Sequence, residues 1–337
     1  MRYLIVSLSG IGRRHLRNLR ALRPDAQIAV LRQHTPLENG AVPEGADQQF
    51  TTLEQALAFR PDAAIIAGPA TTHLGTALPL AQAGVHLLIE KPLADRLEGL
   101  DALVAHCEKN ALVLMTGYNL RFSPALREAR RLIAFGAIGP VLGARAEVGQ
   151  YLPDWRPGSD YRASVSARRV LGGGVILELS HEFDYLYWLF GQPARVTARG
   201  GHYSRLELDV EDMVEVTLEY ELPRRLINIH LDMVQRAPVR RCRFIGELGT
   251  LLWDGLTDRI ECYKAETSKW ENLDQFACSD RNQTYLDELE HFFRCIEHGE
   301  TPLVDGAQGH DVLALVQAAR ISLEEASSVE MSGYGQR

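Results

Sequence analysis

Residues 3–15 read YLIVSLSGIGRRH, an apolar run followed by a turn with two glycines and a basic stretch. A strand that leads through such a turn into a helix is typical of a dinucleotide-binding unit, where glycines let the helix N-terminus approach a pyrophosphate. The match to G-x-G-x-x-G is partial, because Ser7 and Ser9 occupy the first two glycine positions and only Gly12 is in register. An ordinary strand–helix turn is the alternative.

Further apolar runs of four or five residues follow at residues 27–31, 63–67, 86–89 and 112–115. Runs without a polar face are typical of parallel strands that are covered on both sides. Amphipathic stretches separate them at residues 14–22, 52–59, 74–83 and 97–107. This alternation predicts an α/β fold that begins with a doubly wound parallel sheet, a Rossmann domain, over residues 1–122.

From residue 123 onward the pattern changes to period two. Residues 214–220 and 227–233 alternate apolar with polar side chains, which indicates antiparallel strands with one buried face. Weaker runs of the same kind occur at residues 141–151, 194–202, 240–245, 249–254 and 259–263. Together with helical patterns at residues 178–190, 285–298 and 312–325, they predict an α+β second domain over residues 123–337.

The composition narrows the class of protein. The chain has 337 residues, 46% of them hydrophobic, and its 36 basic and 44 acidic side chains give a net charge of -8. The hydrophobic fraction indicates a sizeable buried core. The negative net charge disfavours binding to nucleic acid or to an anionic membrane, so neither is an expected partner. Residues 63–89 carry no charged side chain except histidine, but glycine and proline interrupt them, which favours a packed strand–helix–strand over a membrane span.

The cysteines point to a reducing compartment. They are odd in number, widely spaced and without a C-x-x-C pair: Cys107, Cys242, Cys262, Cys278 and Cys295. This argues against a zinc ribbon and against a disulfide framework. The apolar run at residues 4–8 is too short for the core of a signal peptide. We therefore expect a cytoplasmic protein.

Two predicted strand ends carry basic residues that could bind a ligand or take part in catalysis. Arg32 follows the second apolar run, where NAD-selective domains usually have a carboxylate, so it could pair with the 2′-phosphate of NADP or be a solvated cation. Lys91, within Glu90-Lys91-Pro92, follows the fourth run, at the edge where open α/β sheets bind ligands. A lysine there could hold or protonate a substrate oxygen, although many strand-end lysines are simply solvated.

The second constellation is GGGVILELSHEFDY at residues 172–185. On one continuous helix, Glu178, His181, Glu182 and Tyr185 share a face, and a histidine fixed by a carboxylate makes a general base near neutral pH. A metal site formed by Glu178, His181 and Asp184 is an alternative, but no second histidine-rich cluster accompanies it. A helix with only a packing role is the other alternative.

Together these pieces resemble the Gfo/Idh/MocA family of NAD(P)-dependent sugar oxidoreductases. The resemblance covers nearly the whole chain and rests on residues 12–15, 68–73, 90–92, 117–122 and the triple glycine ahead of His181. It implies a Rossmann domain followed by a domain with a large open, mostly antiparallel sheet that commonly builds homodimers or homotetramers. It also implies hydride transfer between a sugar carbon and a nicotinamide, without a metal.

The resemblance assigns roles to particular residues. Lys91 orients the reacting hydroxyl, His181 removes its proton and Glu178 orients His181; family members usually have Asp where Glu178 stands. The cofactor, NAD or NADP with a lean towards NADP, is expected to contact Ser7, Ser9, Gly10, Ile11, Gly12, Arg32, Gly68, Pro69, Thr72, His73, Glu90 and Lys91. The substrate is expected to contact Asn119, Arg121, Trp155, Arg156, Tyr161 and His181.

Residues 151–162 follow the first long strand of the second domain and combine aromatic faces with two arginines. Such a segment suits a sugar that carries a carboxylate or a nucleotide phosphate, or it is a surface loop pinned by a buried tryptophan. The working hypothesis is a dehydrogenase or reductase acting on a sugar, amino sugar or nucleotide sugar. An NAD-dependent glycosidase and a non-catalytic cofactor-binding sensor are the alternatives.

Overall fold

The computed structural model describes residues 1–32, 41–273, 276 and 280–334. The chain divides into two compact units, the first formed by Met1–Asn119 with Asn282–Leu313 and the second by Leu120–Arg281 with Ala314–Arg337. The predicted division after residue 122 lies close to the first of these boundaries. The predicted boundary placed residues 282–313 in the second domain, whereas the structure places them in the first unit.

The first unit contains a six-stranded sheet with the order β3-β2-β1-β4-β5-β6, in which every pair is parallel. Its strands are β1 (Arg2–Val6), β2 (Gln27–Leu31), β3 (Gln48–Phe50), β4 (Ala63–Ile66), β5 (His86–Glu90) and β6 (Leu114–Gly117). The central strands are buried on both faces, as the unbroken apolar runs predicted. The doubly wound Rossmann fold is thereby confirmed. The short edge strand β3 was missed because it holds a single apolar residue.

The described residues form these α-helices: α1 (Gly10–Leu22), α2 (Leu53–Ala58), α3 (Ala70–Gln82), α4 (Leu100–Lys109), α5 (Pro124–Ala134), α6 (Val175–Glu178), α7 (His181–Phe190), α8 (Gln283–His298) and α9 (Gly306–Glu325). Side chains cap several of them: Thr52 and Gln55 form a capping box on α2, and Ser123 caps α5. In the described part of the chain, no helix combines the length and apolar character that a bilayer crossing needs.

The second unit contains a nine-stranded sheet with the order β14-β13-β12-β11-β7-β10-β9-β8-β15. Its strands are β7 (Val141–Gly149), β8 (Arg195–Gly201), β9 (Met213–Glu221), β10 (Arg224–Asp232), β11 (Val239–Gly246), β12 (Gly249–Asp254), β13 (Arg259–Lys264), β14 (Lys269–Asn272) and β15 (Ser328–Glu330). All pairs are antiparallel except β7 with β10. One face is apolar and the other polar, so the large, mostly antiparallel sheet is confirmed.

The polar face of this sheet carries a histidine between two carboxylates. His230 Nε2 lies 3.1 Å from Asp232 Oδ2, and its Nδ1 lies 2.6 Å from Glu215 Oε1. These hydrogen bonds, with Asp232 first, raise the pKa of His230 to about 9. The imidazolium is therefore the form that the folded sheet stabilises at neutral pH.

Stability is expected to fall as the pH rises through this titration. Because the folded pKa lies above the unfolded value, the contribution of His230 is complete below about pH 6.5 and is lost as the pH passes about 9. We expect a loss of about 1–2 kcal/mol, since Glu215 is exposed and its charge is screened. Thermal melts of wild type and His230→Gln between pH 6 and 10 test this, and curves that stay parallel would contradict it.

Candidate active site

In the turn between β1 and α1, the backbone of Ser7 lies close to that of Gly12. Ser7 has a φ of 74°, in the left-handed region, and a Cβ added to Gly12 would overlap the Ser7 carbonyl oxygen. The Ser9 hydroxyl donates to Ala67 O at 3.0 Å and accepts from Gly12 N at 3.4 Å, which caps the helix. Gly10–Gly12 form its first turn, which holds no acidic residue. This cradle fits the pyrophosphate of a dinucleotide.

The two serines of this turn have opposite effects on stability, which gives a test. Glycine adopts a positive φ without strain, so Ser7→Gly is expected to raise the free energy of unfolding by about 1 kcal/mol. Ser9→Ala removes the cap of α1 and is expected to lower it by about 1 kcal/mol. Urea titration of both variants measures the two shifts. A destabilised Ser7→Gly would show that its left-handed backbone carries no strain.

A buried histidine connects the loops that follow β4 and β5. His73 Nε2 lies 2.9 Å from Gly68 O and its Nδ1 lies 3.1 Å from Pro92 O. Burial is the main cause that lowers the pKa of His73. The Thr72 hydroxyl donates to Pro69 O at 2.7 Å. The sequence predicted His73 as a cofactor contact, whereas both of its ring nitrogens face protein carbonyls, so it supports the loops.

Glu90 and Lys91 lie at the carboxyl end of β5. Glu90 is buried, its Oε1 lies 2.6 Å from His15 Nε2, and its Oε2 accepts from Lys91 N at 3.3 Å. The half-buried Lys91 lies at the edge where open α/β sheets bind ligands. Glu90 was predicted as a cofactor contact, but the contacts the structure shows for it are to protein groups.

Glu288 of α8 completes a buried group with His15 and Glu90. Their ligand atoms all lie within 4.8 Å of one another, a spacing that could hold a metal ion. The 2.6 Å contact between His15 and Glu90 is a direct hydrogen bond, closer than the roughly 3 Å between two donors on one zinc ion. The arrangement therefore suits a shared proton better than a metal. Glu288 could not be predicted from the sequence, because no local pattern connects it with β5.

Arg32 lies directly after β2. Its side chain is buried, and burial together with the nearby charge of Arg13 lowers the pKa of its guanidinium. Two cations near each other at the carboxyl edge of this sheet favour an anion there. Residues 33–40, which follow, lie outside the described part of the chain.

Asn119 ends the first segment of the first unit. It is buried, and its Nδ2 donates to Thr284 Oγ1 at 2.8 Å. Thr284 lies in the first turn of α8. The residue predicted as a substrate contact is thus bonded to the C-terminal segment of its own unit.

In the second unit, the predicted single helix over residues 178–190 is two helices. Glu178 ends α6, Leu179 and Ser180 interrupt the helix, and His181 begins α7. The Glu178 carboxylate accepts from Ser166 Oγ at 2.9 Å. His181 is nine-tenths buried. The prediction that Glu178 and His181 share a face of one continuous helix is therefore wrong, although both remain close in the chain.

The glycines before α6 are required by close backbone packing. A Cβ on Gly173 would overlap the carbonyl oxygen of Val165, and one on Gly174 would overlap the carboxylate of Glu211. Gly174 also has a φ of 102°. Glu211, whose pKa is raised by burial, accepts from Ile176 N at 3.3 Å. These contacts fix the backbone position at the start of the segment that carries Glu178 and His181.

Two acidic residues of α7 are occupied by buried ion pairs. Glu182 Oε1 lies 3.0 Å from Arg240 Nε, and Asp184 Oδ1 lies 2.7 Å from the Arg121 guanidinium. Arg121 and Asp184 are fully buried. Arg121 was predicted as a substrate contact, whereas the structure shows its guanidinium in a fully buried ion pair with Asp184. The pairing likewise takes Asp184 out of the metal site considered from the sequence.

The predicted substrate segment is a series of short turns. Trp155 Nε1 donates to Gln150 O at 2.8 Å, and the Tyr161 hydroxyl accepts from Glu207 N at 3.1 Å. Both side chains are half-buried, whereas Arg156 is exposed. The bond from Trp155 connects the start of the segment to the end of β7, and Arg156 is the exposed one of the three residues of this segment that were predicted to contact substrate.

The parallel sheet, its glycine turn and the lysine at its carboxyl edge define a dinucleotide-binding oxidoreductase. Residues 1–118 match the family model described as "Oxidoreductase family, NAD-binding Rossmann fold", and residues 130–331 match "Oxidoreductase family, C-terminal alpha/beta domain". The chain belongs to the Gfo/Idh/MocA family that these two models define. It is an NAD(P)-dependent oxidoreductase.

Relatives and solved structures extend over nearly the whole chain. Myo-inositol 2-dehydrogenase of Thermotoga maritima is 25% identical over 98% of each chain. UDP-N-acetylglucosamine 3-dehydrogenase of Acidithiobacillus ferrooxidans is 26% identical over 96% of this chain and 97% of its own. The WlbA dehydrogenase of Bordetella pertussis, solved with NADH and UDP-GlcNAcA, shares the fold, with a TM-score of 0.80 and 22% identity over 98% of each chain.

Proposed function

We propose that the protein transfers a hydride between a nicotinamide cofactor and a hydroxyl-bearing or keto carbon of a sugar, amino sugar or nucleotide sugar. The observation that carries this proposal is Lys91 at the carboxyl edge of the parallel sheet that also carries the glycine turn. The named relatives that span the whole chain are dehydrogenases of inositol and of a UDP-amino sugar. This favours net oxidoreduction over the glycosidase and the sensor.

The proposed roles divide between a cation and a base. The Lys91 ammonium donates a hydrogen bond to the reacting oxygen, and the His181 imidazole accepts its proton. Glu178, held by Ser166, orients His181. The bound cofactor supplies the hydride acceptor at its nicotinamide ring. Arg156 is the proposed contact for an acidic group on the substrate.

NADP is the proposed preferred cofactor. Burial, and after it the nearby charge of Arg13, lowers the pKa of Arg32, and a 2′-phosphate beside the two guanidinium groups would offset the repulsion between them. Arg32→Glu is the variant that separates the two cofactors, because a carboxylate repels the 2′-phosphate and accepts from the ribose hydroxyls of NAD.

Assembly and location are also proposals. The nine-stranded sheet exposes apolar side chains on and beside its strands, among them Leu142, Leu226 and Trp270, which supports a homodimer or homotetramer. A cytoplasmic location is supported by the free thiols at Cys107, Cys242, Cys262 and Cys295. Cys278 lies outside the described residues.

One experiment tests the proposed function. Fluorescence titration with NADH and NADPH gives the cofactor, and a panel that includes myo-inositol and UDP-N-acetylglucosamine is then followed by the absorbance of reduced nicotinamide. Reduction of the cofactor that depends on added sugar supports a dehydrogenase. Release of free sugar without net reduced cofactor supports the glycosidase. Cofactor binding without turnover across the panel supports the sensor.

A further inference from the structure

We propose that His15 is a positioning residue that holds Glu90 and, through it, sets the place of Lys91. The inference rests on the proposed catalytic role of Lys91. His15 lies on the helix that begins at the glycine turn, and Glu90 is the last residue of β5. The proposal thus connects the cofactor cradle with the lysine that handles the substrate oxygen.

The contacts form a chain of two hydrogen bonds. The His15 side chain is completely buried and its Nε2 lies 2.6 Å from Glu90 Oε1, which is a short hydrogen bond. The other carboxylate oxygen, Oε2, accepts from the backbone N–H of Lys91 at 3.3 Å. Because each oxygen of Glu90 has a different partner, rotation of its carboxylate would disturb both bonds.

Glu90 lies against a glycine of the neighbouring strand. Gly117 pairs with Glu90 across β5 and β6, and a Cβ on Gly117 would lie 3.3 Å from Glu90 Cδ and 3.4 Å from its Oε2. The carboxylate therefore lies directly over the neighbouring strand, where a side chain is missing. Because Gly117 has no side chain, packing alone does not fix the orientation of the Glu90 carboxylate. The hydrogen bond from His15 is therefore the restraint on its direction.

Electrostatics explains why the restraint is an imidazole. Glu288 of α8 places a second buried carboxylate within 4.8 Å of the ligand atoms of His15 and Glu90. Two like charges in a buried site repel, and a group that can donate a proton between them relieves the repulsion. The imidazole of His15 offers Glu90 a ring N–H donor, which a leucine of similar size lacks.

The expected consequence is a loss of rate rather than of binding. Without the His15 donor, Glu90 can turn away and release the N–H of Lys91, which displaces the ammonium from the reacting oxygen. A displacement of about 1 Å in a catalytic group costs on the order of 100-fold in rate. For His15→Leu we expect kcat to fall by about 10–100-fold, with KM for the sugar and Kd for the cofactor within about threefold of wild type.

The matched variant is His15→Gln, whose side-chain amide keeps an N–H donor at a comparable distance. It is expected to restore kcat to within about fivefold of wild type. Rescue by a neutral donor separates positioning from a need for bulk or for charge. Equal losses in His15→Leu and His15→Gln would overturn the proposal, as would an unchanged kcat in folded His15→Leu.

A second readout does not depend on turnover. The chain has only four lysines, Lys91, Lys109, Lys264 and Lys269, so reductive ¹³C-methylation gives four side-chain signals in an NMR spectrum. Lys91→Arg identifies the signal of Lys91 by its loss. We expect that signal to shift in His15→Leu and to return towards its wild-type position in His15→Gln, with the other three unchanged.

Because this readout does not depend on turnover, it distinguishes failure of the His15 inference from failure of the proposed function. If Lys91→Ala retains activity, the proposed function fails, while the Lys91 signal still reports whether His15 positions this side chain. Should His15→Leu not fold, Glu90→Gln takes its place, because it keeps the volume of Glu90 and weakens the bond to His15. A shifted Lys91 signal in Glu90→Gln supports the inference, and a wild-type signal overturns it.

Discussion

Replacing Lys91 with alanine is expected to lower kcat by about 10²–10⁴-fold. Lys91 directly follows β5 at the carboxyl edge of the parallel sheet, and alanine leaves no donor for the oxygen whose charge changes during hydride transfer. The fold is expected to survive, since Lys91 is half-buried and its backbone still bonds to Glu90. Steady-state kinetics on the sugar identified by the panel measures the loss, and fluorescence titration checks that the Kd for NADH stays within about threefold.

Lys109→Ala is the matched control. Lys109 is an exposed lysine in the last turn of α4, in the same unit. Its removal changes the net charge by the same amount, and we expect kcat to remain within twofold. Near-normal turnover in Lys91→Ala would remove the central residue of the proposed function. A parallel loss of cofactor affinity would instead assign Lys91 to binding.

Gly12→Ala is expected to have the second large effect. The added Cβ would overlap the Ser7 carbonyl oxygen, so the N-terminus of α1 must move away from the turn. Backbone cannot yield as a side chain does, and overpacking of this kind costs about 1–3 kcal/mol of stability. The same movement takes the N–H groups of the first turn away from the pyrophosphate, which we expect to weaken cofactor binding at least about tenfold. Urea titration and NADH titration measure the two effects.

Gly10→Ala is the control within the same helical turn. A Cβ on Gly10 has nothing within 4 Å, and its φ lies outside the left-handed region. Alanine has the higher helix propensity, so the free energy of unfolding is expected to stay constant or to rise by up to about 1 kcal/mol. If Gly12→Ala and Gly10→Ala are equally stable, the close approach of Ser7 to α1 does not constrain residue 12.

Much of the fold could be predicted because its signals are local. The apolar runs at β1, β2, β4 and β5 occur where the sequence placed them, since a strand buried on both faces must be apolar throughout. The period-two pattern of β9 and β10 likewise reflects a sheet with one polar face. Strand β6 begins two residues later than expected, because the apolar run there extends into the preceding loop.

The errors arise where tertiary packing overrides a local pattern. The pattern at residues 178–190 is continuous, but the helix breaks at Leu179 and Ser180, and the two parts are held by different partners: Ser166 for Glu178 and Arg240 for Glu182. The family resemblance suggested that Arg121 contacts the substrate. The structure shows its guanidinium in a buried ion pair with Asp184, a pairing that no spacing of residues reveals.

The amino-acid sequence alone determined the two-part architecture, the glycine turn and the identity of Lys91 and His181 as candidate residues, since each depends on neighbours a few positions away. Only the tertiary structure decided that Glu90 is held by His15 beside Glu288, because these residues lie on three different elements. Burial of like charges makes such partners obligatory, but it does not fix where in the chain they occur.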